Sequence, residues 1–323
     1  MKRRGFVLGL TLSGLAAAEP RAQRRLPRLA LLLTDGAASL ANGSWPTALR
    51  AALDEYGWTE GRTIEIVTRH ADGDFDRLPA LASELVALKP DLLLTHSSSG
   101  ALAASAATQT IPIVVGAASE PVLAGLAGDL ARPKGNVTAL TVASVEQHVK
   151  CAEIFSEVRP GRAHLAVLVN PTNHSYDALG GALAEHGYPS TNIVVAKARA
   201  APLRDALQAA QADALLVTAD PNFNRGDADK AIDEAAKSLR VPHFGTFEPA
   251  TRAGALFSFG ADYGRLIRRS AFYIDRILRG AKPADLPIER PSVFKLVINL
   301  KAADALGLSV PQPVLARADE VID

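Results

Sequence analysis

The chain has 323 residues, of which 48% are hydrophobic and 21% charged, and its formal net charge at pH 7 is +1. This is the composition of an ordinary globular protein, and so small a net charge gives no general attraction to nucleic acid or to an anionic membrane. The length exceeds what one hydrophobic core usually supports, so it predicts two lobes. Cys151 is the only cysteine, which excludes an intramolecular disulfide and a cysteine-based metal site.

The first residues have the pattern of an export signal. Three basic residues at positions 2–4 precede an apolar stretch from 6 to 18 that ends in three alanines. The stretch is shorter than the roughly 20 residues that a membrane-spanning helix needs. We predict a signal peptide over residues 1–22, and the paired arginines also fit a twin-arginine signal. No cysteine comes directly after the apolar stretch, so we expect a periplasmic protein without a lipid anchor.

From residue 27 onward, the chain repeats one strand–loop–helix pattern. The apolar runs at 29–33 and 165–169 each end in a polar loop and are followed by a helical pattern. The runs at 91–95 and 213–218 form a second matching pair. Short apolar runs between turns favour strands that are buried on both faces of a parallel sheet. We therefore predict an α/β fold with two doubly wound parallel-sheet lobes and a cleft between them.

Three stretches interrupt this pattern and are predicted to connect the lobes. The first is rich in Gly and Pro and runs from 117 to 145, the second lies near Phe247, and the third is the Pro-rich stretch 282–291. We accordingly assign residues 27–142 plus 247–290 to lobe 1 and residues 146–246 plus 291–323 to lobe 2. Three connections predict a hinge rather than a flexible tether.

Ligands of open parallel α/β sheets gather outside the carboxyl ends of the strands. The loops predicted there are rich in small, hydroxyl-bearing and amide-bearing side chains, which suit hydrogen bonding to a small polar solute. The candidate ligand-binding residues are Thr34, Asp35, Trp45, Thr95, His96, Ser97, Ser98, Ser119, Glu120, Thr141, Asn170, Thr172, Asn173, Asp220, Phe223, Phe247 and Glu248.

Two parts of this set have a defined electrostatic preference. The serines at 97–99 precede a helix whose free N–H groups can seat a carboxylate, although a serine N-cap without a ligand explains them as well. Glu120 and Asp220 can each pair with an ammonium group, or each can be a solvated loop acid.

Other members of the set have an apolar or structural alternative. Trp45, Phe223 and Phe247 can enclose an apolar part of a ligand, or they can pack in a core or anchor a loop. His96 can reach the cleft or serve as a structural hydrogen-bonding residue.

The sequence lacks the common motifs of nucleotide-binding, hydrolytic and metal-dependent enzymes. It has no glycine-rich dinucleotide or phosphate loop, no Gly-x-Ser-x-Gly motif, and no histidines at metal-ligand spacing. Cys151 falls in a helical pattern and is expected to be a buried structural thiol. We predict a protein that is not an enzyme and that has no cofactor, metal or nucleic-acid partner.

Several segments taken together resemble one family. They lie at 56–61, 75–82, 111–114, 131–138, 280–287, 297–301 and 315–322. As a set, they resemble ABC-transporter solute-binding proteins of the tryptophan/tyrosine-type subgroup, over the whole chain after the signal peptide. The resemblance implies a type I periplasmic-binding-protein fold and a monomer. It also implies capture of an amino acid, an aromatic amino acid or a related carboxylate, and its delivery to an ABC permease in the membrane.

Two alternatives remain open at this point. The chain can be an exported α/β enzyme that uses an acid together with His96, which requires a polar dyad in the cleft. It can also be a sensory receptor for a membrane kinase, which differs from the transport protein only in its partner.

Overall fold

The structure is a computed structural model that describes residues 25–34, 45–119, 125–126, 129–133, 135–173, 176–220, 222–224 and 226–323. The predicted signal peptide and two of the candidate ligand-binding residues, Asp35 and Glu120, lie outside the described residues.

Strands and helices alternate along the described chain, as the repeat predicts. The strands are β1 (Arg28–Leu33), β2 (Glu65–His70), β3 (Leu92–Thr95), β4 (Ile113–Ala118), β5 (Val137–Thr141), β6 (Leu165–Val169), β7 (Ser190–Val194), β8 (Ala214–Val217), β9 (His243–Gly245), β10 (Phe257–Ala261), β11 (Phe294–Asn299) and β12 (Glu320–Ile322). The α-helices are α1 (Trp45–Glu55), α2 (Leu78–Ala87), α3 (Ser98–Ala107), α4 (Ser144–Val158), α5 (Leu179–Glu185), α6 (Ala200–Ala210), α7 (Gly226–Ser238), α8 (Glu248–Ala253), α9 (Tyr263–Leu278), α10 (Leu300–Leu306) and α11 (Gln312–Leu315).

Lobe 1 is built on a five-stranded sheet with the order β2-β1-β3-β4-β5, in which every pairing is parallel. Its strands are buried on both faces, as their continuous apolar runs predict. Leu29, Leu31 and Leu33 belong to the core shared with α1 and α9, whereas Ala30 and Leu32 belong to the core shared with α2 and α3. This alternation places helices on both sides of the sheet.

Lobe 2 is built on a seven-stranded sheet with the order β12-β11-β10-β9-β8-β6-β7. The pairing of β10 with β11 is antiparallel, and the other pairings are parallel. Leu165 and Val167 face one core, and Ala166 and Leu168 face the other. The late strand predicted near residues 294–299 therefore joins lobe 2, as expected.

The chain connects the lobes three times, and the second connection lies away from its predicted position. The prediction near Phe247 is wrong because β10, which follows it, pairs with β9 and β11 in the sheet of lobe 2. The connection falls instead at Asp262, between β10 and α9, and α9 then packs its apolar side into lobe 1. We therefore propose residues 27–142 plus 262–290 for lobe 1 and residues 146–261 plus 291–323 for lobe 2.

Backbone hydrogen bonds link the three connecting segments, which together form the hinge. The amide of Thr141 donates to the carbonyl of Glu289 at 2.9 Å, and this links the end of β5 to the third connection. The amide of Asp262 donates to the carbonyl of Val293 at 3.1 Å, and this links the second connection to the third.

Candidate functional site

A polar cavity lies where the strands of both sheets end. It is lined by His96, Ser97, Ser98, Ser99, Ala117, Ser119, Val142, Asn173, Ala219, Asp220, Asn224, Phe247 and Tyr263. Ala117 lies near the end of β4, and the other residues follow β3, β4 and β5 of lobe 1 and β6, β8, β9 and β10 of lobe 2. The strand-end rule thus brings together loops that are far apart in sequence.

The serine loop builds the lobe 1 side of this cavity. The side chain of Ser97 caps α3 by accepting a hydrogen bond from the amide of Gly100 at 3.0 Å. Ser98 accepts a hydrogen bond from the amide of Ser119 at 3.1 Å, which ties the loop to the end of β4. Both hydroxyls thus have structural roles. Ser98 and Ser99, which line the cavity, form the first turn of α3, where N–H groups without intrahelical partners are suited to an anion.

Asp220 forms the lobe 2 side and is completely buried. Its carboxylate accepts hydrogen bonds from the side-chain amides of Asn173 at 2.8 Å and Asn170 at 3.3 Å, and from the backbone amide of Asn222 at 2.8 Å. The hydroxyl of Thr172 donates to the Asn170 carbonyl oxygen at 3.0 Å, which fixes the orientation of that amide. Asn170, oriented by Thr172, therefore helps to hold the carboxylate in place without lining the cavity. Asn173 and Asp220 line the cavity itself.

Aromatic rings enclose part of the cavity. Phe247 from lobe 2 meets Tyr263, the first residue of α9, with ring centroids 5.6 Å apart and planes at 85°. Edge-to-face packing is a favoured arrangement of aromatic rings, and the pair provides an apolar surface. The ring of His96 lies 5.4 Å from that of Trp45, and its Nε2 lies 3.4 Å from the hydroxyl oxygen of Thr34. His96 therefore lines the cavity and also makes structural contacts with Trp45 and Thr34.

Some predicted site residues support the cavity without lining it. The hydroxyl of Thr141 donates to the carbonyl of Ser119 at 3.1 Å and so fixes the end of β4. Thr95 lies beneath α3, where a Cβ on Gly100 would come within 2.1 Å of its hydroxyl oxygen. Trp45 packs over the sheet of lobe 1, where it covers Gly116.

Two predicted residues lie away from the cavity lining. Phe223 is fully buried in the core between the lobe 2 sheet and its helices, so its ring serves packing. Glu248 begins α8 and lies 3.3 Å from Arg252 and 3.8 Å from Lys295 in ion pairs. Position after a strand explains why both were proposed, but the direction of the side chain decides whether the cavity is reached.

Three polar residues of the site were missed by the sequence-based prediction. Tyr263 and Asn224 line the cavity, and the hydroxyl of the buried Tyr176 lies beside that of Ser119. Tyr263 comes two residues after the end of β10, so the strand-end rule finds it once the connection between the lobes is placed at Asp262. Asn224 and Tyr176 lie several residues beyond their strands, where sequence spacing does not show which side chain turns back.

Two buried titratable groups of α4 are held in their neutral forms. Burial lowers the pKa of His148 to about 4 and raises the pKa of the Cys151 thiol to about 12. Cys151 donates a hydrogen bond to the carbonyl of Gly245 at 3.2 Å. Cys151 is buried, as expected, and a protonated, buried thiol is a poor nucleophile.

Neither a metal-binding cluster nor a membrane-spanning helix occurs among the described residues. Their acidic, histidine and cysteine side chains form no group of three or more placed to hold a metal ion. No described helix has both the length and the apolar character needed to cross a membrane.

Comparison with known proteins gives consistent results across nearly the whole chain. The sequence model of a family described as ABC transporter substrate binding protein matches residues 45–322. The tyrosine-binding protein of Clostridioides difficile (strain R20291) is 26% identical over 277 residues, which are 83% of this chain and 79% of that protein.

Two solved structures have closely similar folds. A conserved domain protein from Vibrio cholerae O1 biovar El Tor strain N16961 has a TM-score of 0.84 and 28% identity, and the match covers 92% of this chain and 100% of that one. The ABC domain from Streptococcus pneumoniae in complex with L-Trp has a TM-score of 0.83 and 24% identity, with the same two coverages.

Proposed function

This chain belongs to the family of ABC transporter substrate-binding proteins, and we propose from that premise that it binds an aromatic amino acid in the cavity between its lobes. The observation that carries the proposal is the pairing of two opposite electrostatic preferences in one cavity. The first turn of α3 is contributed by lobe 1 and the Asp220 carboxylate by lobe 2, and both line the same space. A free amino acid carries the two complementary charges on groups that are bonded to the same carbon atom.

Each end of the site has a distinct task in this proposal. The amides of Ser98 and Ser99 hold the ligand carboxylate, because the start of a helix favours an anion by about 0.3–1 kcal/mol, and more where the site is partly buried. Asp220 accepts hydrogen bonds from the ligand ammonium group, which are charge-assisted and stronger than neutral ones. The asparagine amides that already bind this carboxylate keep it oriented before the ligand arrives.

The side chain of the ligand is proposed to pack against the pair formed by Phe247 and Tyr263. An aromatic ring fits such a surface because offset and edge-to-face arrangements add about 0.5–1.5 kcal/mol beyond the burial of area. Two similar proteins point to the same class of ligand, since one is named a tyrosine-binding protein and another was solved with L-Trp.

Binding couples the ligand to the movement of the lobes. Because the contacts come from both lobes, the ligand favours the closed arrangement over the open one. We propose that the closed form acts as a periplasmic monomer without catalysis and presents both lobes to an ABC permease. The family favours this transport function over the enzyme and sensory alternatives.

The test is thermal melting and calorimetric titration of the purified protein against a ligand panel. The panel contains L-Trp, L-Tyr and L-Phe, several aliphatic amino acids, and aromatic acids of the same size without the amino group. A ligand at about 100 times its Kd adds about 2.7 kcal/mol of stability, which should raise Tm by about 5–10 °C. We expect this shift for aromatic amino acids. Equal shifts with the acids that lack an amino group, or no shift with any member, would contradict the proposal.

A further inference from the structure

A second cavity, of about 390 Å³, lies at the hinge between α9 and the third connection. It is lined by Asp262 of the second connection, by residues 289–293 of the third, and by Leu140 near the end of β5. The two cavities have no lining residue in common within the described chain. The hinge cavity is therefore a separate site candidate that the proposed solute site does not use.

The walls of the hinge cavity carry an excess of positive charge. Among the described residues, its lining includes four arginines and two carboxylates: Arg265, Arg268, Arg269 and Arg290, with Asp262 and Glu289.

These arginines differ in how far their charges are already balanced. Arg269 is held by Glu289 through two hydrogen bonds, one of them 2.7 Å long from Nε. Arg290 pairs with Glu146 at 2.7 Å. The contact of Arg265 with Asp262 is longer, at 3.7 Å. Arg268 has no carboxylate within ion-pair distance among the described residues. Arg265 and Arg268 are thus the cations best placed to meet an incoming anion.

Aromatic faces complete this cavity. Tyr56 and Phe272 line it with their rings 6.4 Å apart in an edge-on arrangement. The guanidinium of Arg269 lies over the ring of Phe272, 4.1 Å from its centroid, which fixes its plane. Guanidinium groups match carboxylate and phosphate oxygens in pairs, and an aromatic wall suits the carbon skeleton of an organic ion.

We propose that the hinge cavity binds a small organic anion carrying two or more carboxylate or phosphate groups. Arg265 and Arg268 on one side of α9 hold the acidic groups, and Tyr56 and Phe272 contact the carbon skeleton. The ligand sits against segments that connect the lobes, and it is chemically distinct from the single amino acid proposed for the other cavity.

The experiment titrates the full-length protein with citrate and, separately, with inorganic phosphate, at an ionic strength kept constant with NaCl. Calorimetry is run on the unaltered protein, on Arg268→Gln, and on the double variant Arg265→Gln/Arg268→Gln. Arg276→Gln is the matched control, because Arg276 is exposed on the same helix and does not line the cavity. The Tm of each variant verifies that it is folded.

We expect saturable binding of citrate, weakened by about tenfold to a hundredfold in the double variant, as for lost charge-assisted hydrogen bonds. Binding to Arg276→Gln should stay within about twofold of the unaltered protein, since exposed charges contribute little. Inorganic phosphate should bind more weakly than citrate, because it has one acidic group and no carbon skeleton, and binding of phosphate without binding of citrate would overturn the proposal. The proposal is overturned if neither probe saturates at millimolar concentration, or if Arg276→Gln weakens binding as much as the double variant does.

Discussion

The hydroxyl oxygen of Ser119 lies 3.3 Å from the phenolic oxygen of Tyr176, and this contact joins the lobes at the base of the interlobe cavity. Ser119 directly follows β4 of lobe 1, and Tyr176 belongs to a core of lobe 2. The ring of Tyr176 meets His148 edge-on, with centroids 5.4 Å apart. Both hydroxyls are buried, so their hydrogen bond is made with little competition from water.

Replacing Tyr176 by Phe should weaken the closed arrangement of the lobes. The substitution keeps the ring in its core and removes the hydroxyl, which contacts Ser119 of lobe 1 and also Ser144. The hydrogen bond to Ser119 is worth about 1 kcal/mol. We expect the Ser119 bond to form on closure, so its loss should lower the apparent affinity for the solute about fivefold. Calorimetric titration with the ligand found by the panel measures this loss.

The control for this substitution is Tyr188→Phe. The Tyr188 hydroxyl contacts that of Ser156 at 3.4 Å, and both residues belong to lobe 2. Its removal costs a comparable hydrogen bond without touching the contact between the lobes. An equal loss of affinity in both variants would show that the Ser119–Tyr176 contact has no special part in closure.

Replacing Asp220 by Asn should abolish recognition of the ligand ammonium group. The two side chains have nearly the same size, but the neutral amide does not attract a cation. Its NH2 group is also a hydrogen-bond donor, which cannot accept a hydrogen bond from the ammonium group. Loss of a buried charged partner costs about 2–5 kcal/mol, so affinity for an aromatic amino acid should fall at least about thirtyfold. Calorimetry checks this on the folded variant.

Two comparisons make the Asp220 result specific. An aromatic acid without an amino group should bind the variant and the unaltered protein about equally, because it has no ammonium group to lose. Asp205→Asn, at an exposed position of α6, should leave all affinities unchanged. A loss that is the same with and without the ligand amino group would place the ammonium group elsewhere.

The fold could be predicted from the sequence because its strands are short apolar runs that parallel sheets bury on both faces. Leu29–Leu33 and Leu165–Val169 carry this signal without ambiguity, and strand ends then indicate the cleft. The error at Phe247 has a physical cause. β9 has only three residues and β10 pairs antiparallel to β11, so neither gives the signal of a long parallel strand.

The site could be predicted only to the level of loops. Asp220 lines the cavity and Phe223, three residues later, is in the core, although both follow the same strand. The difference depends on the turn in which the amide of Phe223 donates to the carbonyl of Asp220 at 2.9 Å. Sequence position does not reveal that turn, and so it does not reveal which side chain faces the ligand.

Acidification should destabilise the protein through two buried histidines. Burial lowers the pKa of His148 and of His243 from 6.5 to about 4. A lowered pKa in the folded state stabilises the protein above pH 6.5, and this stability is lost as the pH falls toward 4. Asp229 acts in the opposite sense, because burial raises its pKa to about 6, but it is one group against two. The free energy of unfolding should therefore fall by about 2–3 kcal/mol between pH 7 and pH 5.

Urea denaturation at a series of pH values measures this dependence. In His148→Gln the slope of stability against pH should be markedly smaller, because one of the two neutral buried imidazoles is gone. His186→Gln removes an exposed histidine and should leave the slope unchanged. A protein whose stability is flat from pH 7 to pH 5, or equal slopes in the two variants, would exclude this origin.

Gly260, next to the end of β10, should tolerate no side chain, because a Cβ there would lie 1.9 Å from the carbonyl oxygen of Thr246. That oxygen belongs to the backbone and cannot rotate away, so Gly260→Ala forces β10 apart from its neighbour and should destabilise the protein by about 1–3 kcal/mol.

Gly181→Ala is the matched control, since Gly181 lies inside α5 with nothing within 4 Å of its added Cβ. It should be stabilised by about 0.5–1 kcal/mol, as expected for alanine in a helix. Urea denaturation of both variants gives the two values, and equal stabilities would mean that β10 does not approach Thr246 as closely as described.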